Sequence, residues 1–270
     1  MPTAFITGGA GFIGSFVTHK AVAAGYDVII YDTFKQYLIP DPNADQHNPL
    51  VRVADIFDQI TVVRGDTLNK DMLRRTLNKY KRDVIIHIAA LPLASVAIEH
   101  TEDAYNSILD STVNILEVLR DFDHDCSFLY TSSSMVYGDF NSPEVDEDAP
   151  KDPKDIYGSL KLAGEIICRG YMKRYGIDLR IVRPTAVYGP YDANARVLYK
   201  FVRQALAGDP LTVDGDGSAK LDFTFVQDTA QGIFLAATRP GGSGKTFNIA
   251  RGRARALQEA VDIIEGLVGG

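Results

Sequence analysis

The chain has 270 residues, 46% of them hydrophobic, and a formal net charge of −7. That is enough apolar material for one large core, or one core with a small appended lobe, and it excludes a disordered or fibrous chain. The acidic balance, without any Lys/Arg run, argues against a nucleic-acid partner. No stretch approaches the roughly 18 apolar residues that span a bilayer, and Met1-Pro-Thr leads directly into a strand, so a cytoplasmic protein with no membrane contact is expected. Cys126 and Cys168, both beside apolar residues, are expected as buried free thiols in a reducing compartment. His19, His47, His87, His100 and His124 show no ligand spacing, so no metal site is expected.

In chain order, short runs rich in Val, Ile, Phe and Tyr alternate with segments of helical period. Strands are expected at Ala4–Thr7, Asp27–Tyr31, Ile60–Arg64, Val84–Ile88, Ser127–Thr131 and Leu179–Arg183. Helices are expected at Ile13–Ala24, Lys70–Tyr80, Thr101–Phe122, Tyr157–Tyr175, Val197–Ala207, Asp228–Thr238 and Leu257–Leu267. Near-continuous apolar strands must be covered on both faces, which gives an α/β fold with a doubly wound parallel sheet of the Rossmann type. From Pro184 onward, Gly and Pro punctuation shortens the elements. The division expected is 1–183 for a dinucleotide-binding domain with the catalytic residues, and 184–270 mostly for a small C-terminal substrate-binding lobe, interleaved with the end of the sheet. The polar segment Thr33–Asp55, with Pro40, Pro42 and Pro49, is too long for an ordinary connection. It reads equally as a loop over the cofactor or a partner subunit and as a solvated insertion.

Gly8, Gly11 and Gly14 follow the first strand and open the first helix, the context in which a glycine triplet counts as a dinucleotide fingerprint. Absent side chains let the backbone turn tightly and approach a pyrophosphate, and the helix start offers it unpaired N–H groups. Asp32 ends the second strand 18 residues past Gly14. A carboxylate there accepts from both adenosine ribose hydroxyls and repels a 2′-phosphate, which favours NAD. Asp66 reads either as a partner of the adenine amino group or as the cap of the helix starting near Asn69. Ala89 and Ala90, ending the fourth strand, either let the backbone pass close to the cofactor or simply pack in the core.

Tyr157 and Lys161 stand one turn apart on one helix face. A phenol titrating near ~10 is a poor base at neutral pH unless a cation stabilises its anion, and Lys161 is placed to do so and to hold the nicotinamide ribose. Ser133, in Tyr130-Thr-Ser-Ser-Ser-Met-Val-Tyr-Gly138, falls just past the fifth strand, at the carboxyl edge where open α/β sheets bind ligands. Its hydroxyl can hold the reacting substrate oxygen.

With these motifs, Asp222-Phe-Thr-Phe-Val-Gln-Asp228 and Arg183-Pro-Thr-Ala-Val-Tyr-Gly-Pro190, the whole chain resembles the extended short-chain dehydrogenases/reductases, in the branch of nucleotide-sugar epimerases and dehydratases. The resemblance implies Ser133, Tyr157 and Lys161 as catalytic residues. It also implies bound NAD, with Phe12, Ile13, Thr67 and Pro184 joining the contacts above, a nucleoside diphosphate sugar as substrate, and a homodimer through the helices near Thr101–Phe122 and Tyr157–Tyr175. Dehydratases and decarboxylases of this branch carry acids after the catalytic hydroxyl. Ser134-Met135 stands there here, which favours 4-epimerisation through a transient keto-sugar, with UDP-hexose and UDP-uronate 4-epimerases most similar. A dehydratase, decarboxylase or ketoreductase is the alternative, and a non-catalytic NAD-binding sensor the reading from another class. The chain departs from the family at Ala186, where Asn is usual, at Leu221, where Arg is usual, with Lys220 adjacent, and at Ile108, where Asn is usual, with Asn106 two positions earlier. Arg196 or Arg203 could replace the lost cation, with surface solvation the default reading of either. Family members usually continue further, which reads either as residues of the sugar pocket falling outside this sequence or as an unusually open pocket.

Overall fold

The computed structural model describes residues 1–35, 48–122, 126–140, 142, 144–192 and 196–268. Among these, β1 (Thr3–Thr7), β2 (Asp27–Asp32), β3 (Ile60–Arg64), β4 (Val84–His87), β5 (Ser127–Thr131), β6 (Asp178–Pro184) and β10 (Thr246–Ile249) form one sheet. The order is β3-β2-β1-β4-β5-β6-β10, and every pairing is parallel. The strand β10 was missed in the sequence reading. Thr-Phe-Asn-Ile is half apolar and only partly buried, because it forms an outer edge of the sheet.

Alternation along each strand splits the core in two. Ala4 and Ile6 of β1, with Val28 and Ile30 of β2, pack against Val17 and Ala21 of α1 (Phe12–Ala23) and Ala230, Ile233 and Phe234 of α8 (Val226–Thr238). Phe5, Ile29, Ile85 and Phe128 face the other way, onto Leu73 and Leu77 of α2 (Lys70–Lys79), Ile115 and Leu116 of α5 (Ser111–Leu119) and Cys168 of α6 (Ile156–Tyr175). Each such side chain, buried on folding, contributes about 1.5–3 kcal/mol before the entropy cost. Cys168 is buried as expected, whereas Cys126 is only half-buried, since it lies just ahead of β5 at the sheet's amino edge.

Local signals set the boundaries. The Asn69 side chain caps α2 by accepting from Met72 N (3.0 Å), which overturns the reading of Asp66 as that cap. Asp155 caps α6 through Gly158 N (2.7 Å), and Gly176 ends it in the left-handed conformation. The single helix expected over Thr101–Phe122 is α4 (Thr101–Tyr105), a π turn (Asn106–Asp110) and α5, preceded by α3 (Ala94–Glu99). The wider turn lets Asn106 and Ser107 line a cleft while Ile108 is buried among Leu91, Val96 and Ala104. Within Thr33–Asp55, residues 36–47 lie outside the described set. The remainder is not loop throughout: Asn48 caps a 3-10 segment (Pro49–Gln59) that packs on α1 and buries Val53 and Ile56.

Past β6, β7 (Val187–Tyr188) pairs with β9 (Thr224–Phe225), and β8 (Lys220–Leu221) pairs with β11 (Arg255–Ala256). The helices α7 (Val197–Ala207) and α9 (Leu257–Val268) pack on each other. Because strand order reverses between β1 and β4, the loops leaving their carboxyl ends diverge, and a crevice opens there.

Candidate active site

A cleft of about 570 Å³ lies at this edge. It is lined by Gly8, Gly11, Phe12, Ile13, Gly14, Asp32, Asp66, Thr67, Ala89, Ala90, Ser133, Tyr157, Lys161 and Pro184, so every site residue named from the sequence meets in one place.

The glycine turn begins the cleft. Gly8 has φ +71°, and a Cβ there would sit 2.8 Å from Ala89 N; a Cβ on Gly14 would sit 1.9 Å from Gly8 O. Only hydrogen fits at either position, so β1, the turn and β4 close tightly on one another. Gly11 is the N-cap of α1; no side chain caps the helix and no acid occupies its first turn, so its amide groups are directed at the cleft. Asp32 accepts from Ala10 N (3.0 Å) through Oδ2 and from Phe34 N (2.8 Å) through Oδ1. Burial raises its carboxyl above the usual range, against those two N–H groups and Arg52, which lower it. Arg52, unmarked in the sequence reading, is buried beneath this turn and donates from Nη1 to Ala10 O (3.2 Å). Its signal was an arginine between Val51 and Val53 in a capped, amphipathic segment. Asp66 accepts from Leu68 N at 2.9 Å and lines the cleft.

At the opposite end stands the hydroxyl group. Ser133 precedes a 3-10 turn (Ser134–Tyr137), accepts from Met135 N (3.2 Å) and lines the cleft together with Tyr157 from the first turn of α6. The Lys161 ammonium lies 5.8 Å from the Tyr157 ring centre and donates to Thr131 O (2.8 Å). Its environment differs from the sequence expectation. Burial raises the Tyr157 phenol, and the charge that most opposes this is Arg196, with Ser133 next; burial also pulls Lys161 down to about 8.

A buried network, also missed from sequence, holds the serine loop. Arg183 grips Glu165 with two hydrogen bonds, Nε to Oε1 (2.8 Å) and Nη2 to Oε2 (2.6 Å), and Ser132 donates to Glu165 Oε1 (2.6 Å). Arg183 Nη1 reaches the Tyr137 hydroxyl (2.6 Å), which in turn donates to Asn248 Oδ1 on β10 (2.7 Å). His87 lies below the cleft, buried between Thr7 Oγ1 (2.7 Å) and Thr112 Oγ1 (3.2 Å); burial pulls its imidazole down to about 3, so it stays neutral. No cluster of three or more His, Cys, Asp or Glu among the described residues is placed to hold a metal, and no described helix is long and apolar enough to cross a membrane.

The family departures sort themselves here. Ala186 and Leu221 line the cleft, with Ala186 in the left-handed region at φ 36°. Lys220 is exposed outside the cleft, and Arg203 stacks on Tyr199 of its own helix. Arg196 lines the cleft, held to Asp192 Oδ1 at 2.5 Å.

A family model described as the NAD dependent epimerase/dehydratase family matches residues 4–250. A UDP-glucose 4-epimerase of Mycolicibacterium smegmatis is 29% identical over 98% of this chain and 82% of its own length. A dTDP-glucose 4,6-dehydratase of Neisseria meningitidis is 28% identical over 97% of this chain and 75% of its own. The crystal structure of UDP-glucuronic acid 4-epimerase from Bacillus cereus, in complex with UDP-glucuronic acid and NAD, superposes with a TM-score of 0.89 at 29% identity, over 99% of this chain and 83% of that one. A sheet with one strand order, a glycine turn that admits only hydrogen and a Ser-Tyr-Lys group in the same cleft thus coincide with matches over nearly the whole chain: the protein belongs to the NAD-dependent epimerase/dehydratase family.

Proposed function

We propose that the chain is a nucleotide-sugar 4-epimerase. The observation that carries this reading is that Ser133, Tyr157 and Lys161 line the same cleft as the glycine turn. Residues 1–183 would hold NAD, the α1 amides at the pyrophosphate, Asp32 at the adenosine ribose, Asp66 and Thr67 at the adenine side, and Lys161 at the nicotinamide ribose. The fit rests on the cradle at Gly8 and Gly14, which any side chain would fill. When bound, NAD supplies reversible hydride acceptance. Tyr157 withdraws the proton of the sugar hydroxyl, and Ser133 holds that oxygen as it becomes a carbonyl. After the keto-sugar turns over in the cleft, Tyr157 returns the proton to the oxygen of the inverted alcohol. No second acid is required. The described acids lining the cleft are Asp32, Asp66 and Asp103, and none of them belongs to the Ser133–Tyr137 turn or to the residue 184–223 side, which favours epimerisation over dehydration.

Residues 184–270 supply most of the substrate side. The reading includes a homodimer through α4, α5 and α6, where Tyr105 and Ile166 are exposed; light scattering should return twice the 29.6 kDa chain mass. The reaction is tested by incubating the chain with UDP, GDP, CDP and dTDP sugars and following products by NMR. A 4-epimer supports the reading, a 4-keto-6-deoxy sugar points to the dehydratase alternative, and NAD-loaded protein that converts nothing sinks it.

A further inference from the structure

We infer that His87 is a positioning residue for the cofactor cleft: held as the Nε2–H tautomer, it ties the end of β4 to the π turn (Asn106–Asp110) and so fixes the spacing between two walls of the site. The inference concerns the cofactor side alone. It goes beyond the epimerase reading, since it holds whichever sugar is turned over.

The tautomer follows from counting protons, because a hydroxyl group has only one to donate. Thr112 gives its proton to Ile108 O (2.6 Å), and Ser111 gives its own to Ser107 O (2.6 Å). Both oxygens also face His87 Nε2, Thr112 Oγ1 at 3.2 Å and Ser111 Oγ at 3.4 Å. Each can only accept from it, so Nε2 carries the ring proton. Burial keeps the imidazole neutral, which leaves Nδ1 an acceptor. The Thr7 hydroxyl, 2.7 Å away, therefore donates to Nδ1 and accepts in turn from Ala89 N (3.3 Å). Every hydrogen bond from Ala89 N through the imidazole to Ile108 O thus has one direction.

Both ends of this chain bear on the cleft. Ala89 lines it, and the glycine turn packs so closely there that a Cβ on Gly8 would sit 2.8 Å from Ala89 N. At the other end, the Ser111 and Thr112 hydroxyls bond carbonyls four residues back, a pattern that bends helices, and the two carbonyls lie inside the π turn. That turn brings Asn106 and Ser107 to the cleft, and Ser107 Oγ accepts from Leu91 N (3.1 Å). The exit of β4 and the π turn are therefore tied twice, once through His87 and once through Ser107. Removing the imidazole contacts loosens both walls together.

The first test is ring 15N NMR on NAD-loaded protein labelled at histidine, with the His87 signals identified by their absence in His87→Gln. They should show the Nε2–H pattern, unchanged between about pH 6 and 8. An Nδ1–H pattern, or averaging between the two, overturns the inference. The second test is the rate at which loaded protein loses NAD after dilution, in Thr112→Val, which removes the hydroxyl, in Thr112→Ser, which keeps it, and in Leu179→Ala, a core truncation near the amino end of β6. Thr112→Val should lose NAD about 10-fold faster and Thr112→Ser at close to the wild-type rate, whereas Leu179→Ala should lower the melt without speeding NAD loss. Retention by Thr112→Val equal to wild type overturns the inference, as does Thr112→Ser losing NAD as fast as Thr112→Val. Leu179→Ala matching Thr112→Val in both melt and NAD loss would reduce His87 to core packing and overturn it too. No sugar enters these measurements, so their failure leaves the epimerase reading standing, and a protein that converts no sugar leaves this inference standing.

Discussion

At the glycine-turn end of the cleft, the groups presented are mostly backbone: the α1 amides, the Gly8–Ala89 approach, and Asp32 fixed by two backbone N–H groups. At the end lined by residues 184–223 they are side chains brought from separate loops, namely Ala186, Arg196, Leu221 and Phe223. Backbone recognition is bound to the geometry of β1 and α1 and tolerates almost no change. Side-chain recognition can be rewritten without touching the sheet, and the family departures at 186 and 221 fall on that side. One fold can therefore keep its cofactor while changing its sugar.

The sharpest way to break this contrast is Gly14→Ala. A Cβ 1.9 Å from Gly8 O forces the turn open, so the purified variant should carry no NAD, as read by absorbance of the heat-released nucleotide, and melt lower than wild type. Full NAD content would show that the turn is not the cofactor's cradle. Tyr157→Phe should keep NAD and lose about 10²–10⁴ in kcat, the usual worth of a positioned acid/base; unchanged turnover removes the catalytic assignment. Glu165→Gln probes the frame that joins the two ends. Breaking the buried Arg183 pair should cost about 3–5 kcal/mol in urea unfolding, and a loss under 1 kcal/mol would mean that the serine loop is held otherwise.

A smaller effect tests how rigid the packing beneath the glycine end is. The unfolded chain protonates His87 near its ordinary 6.5, while the folded chain resists until about 3. Protons thus bind preferentially to the unfolded state, and stability falls as pH drops through that window, by about 1.4 kcal/mol per pH unit from this residue. Between pH 6 and 4, His87→Gln should show a shallower decline than wild type; parallel curves would mean that the folded site accepts the proton. Smallest is Ala186→Asn. At φ 36° alanine is strained and asparagine tolerated, so a gain of up to about 1 kcal/mol is expected, read as a raised Tm. A loss would show that the substrate end is packed too tightly for even this side chain.

Where a residue's place follows from local spacing, the sequence was enough. The glycine spacing, Asp32 at the end of β2, and a tyrosine and lysine one turn apart describe local backbone, and neighbours in sequence cannot fall far apart in space. Apolar runs likewise announced β1 to β6, since a strand covered on both faces has no polar face to disguise it. β10 escaped because an edge strand need not be continuously apolar, and the break at Asn106–Asp110 escaped because a π turn has no periodicity of its own. The sequence by itself thus determined the family, six of the sheet's seven strands and the residues gathered at its carboxyl edge. Only the tertiary structure decided that Arg183, Glu165, Tyr137 and Asn248 lock the serine loop, that Arg52 lies under the glycine turn, and that Arg196 rather than Lys220 or Arg203 lines the cleft. These are contacts between residues far apart in the chain, and in a low-dielectric interior the energy of a charge depends on where its partners are brought, which no local pattern encodes.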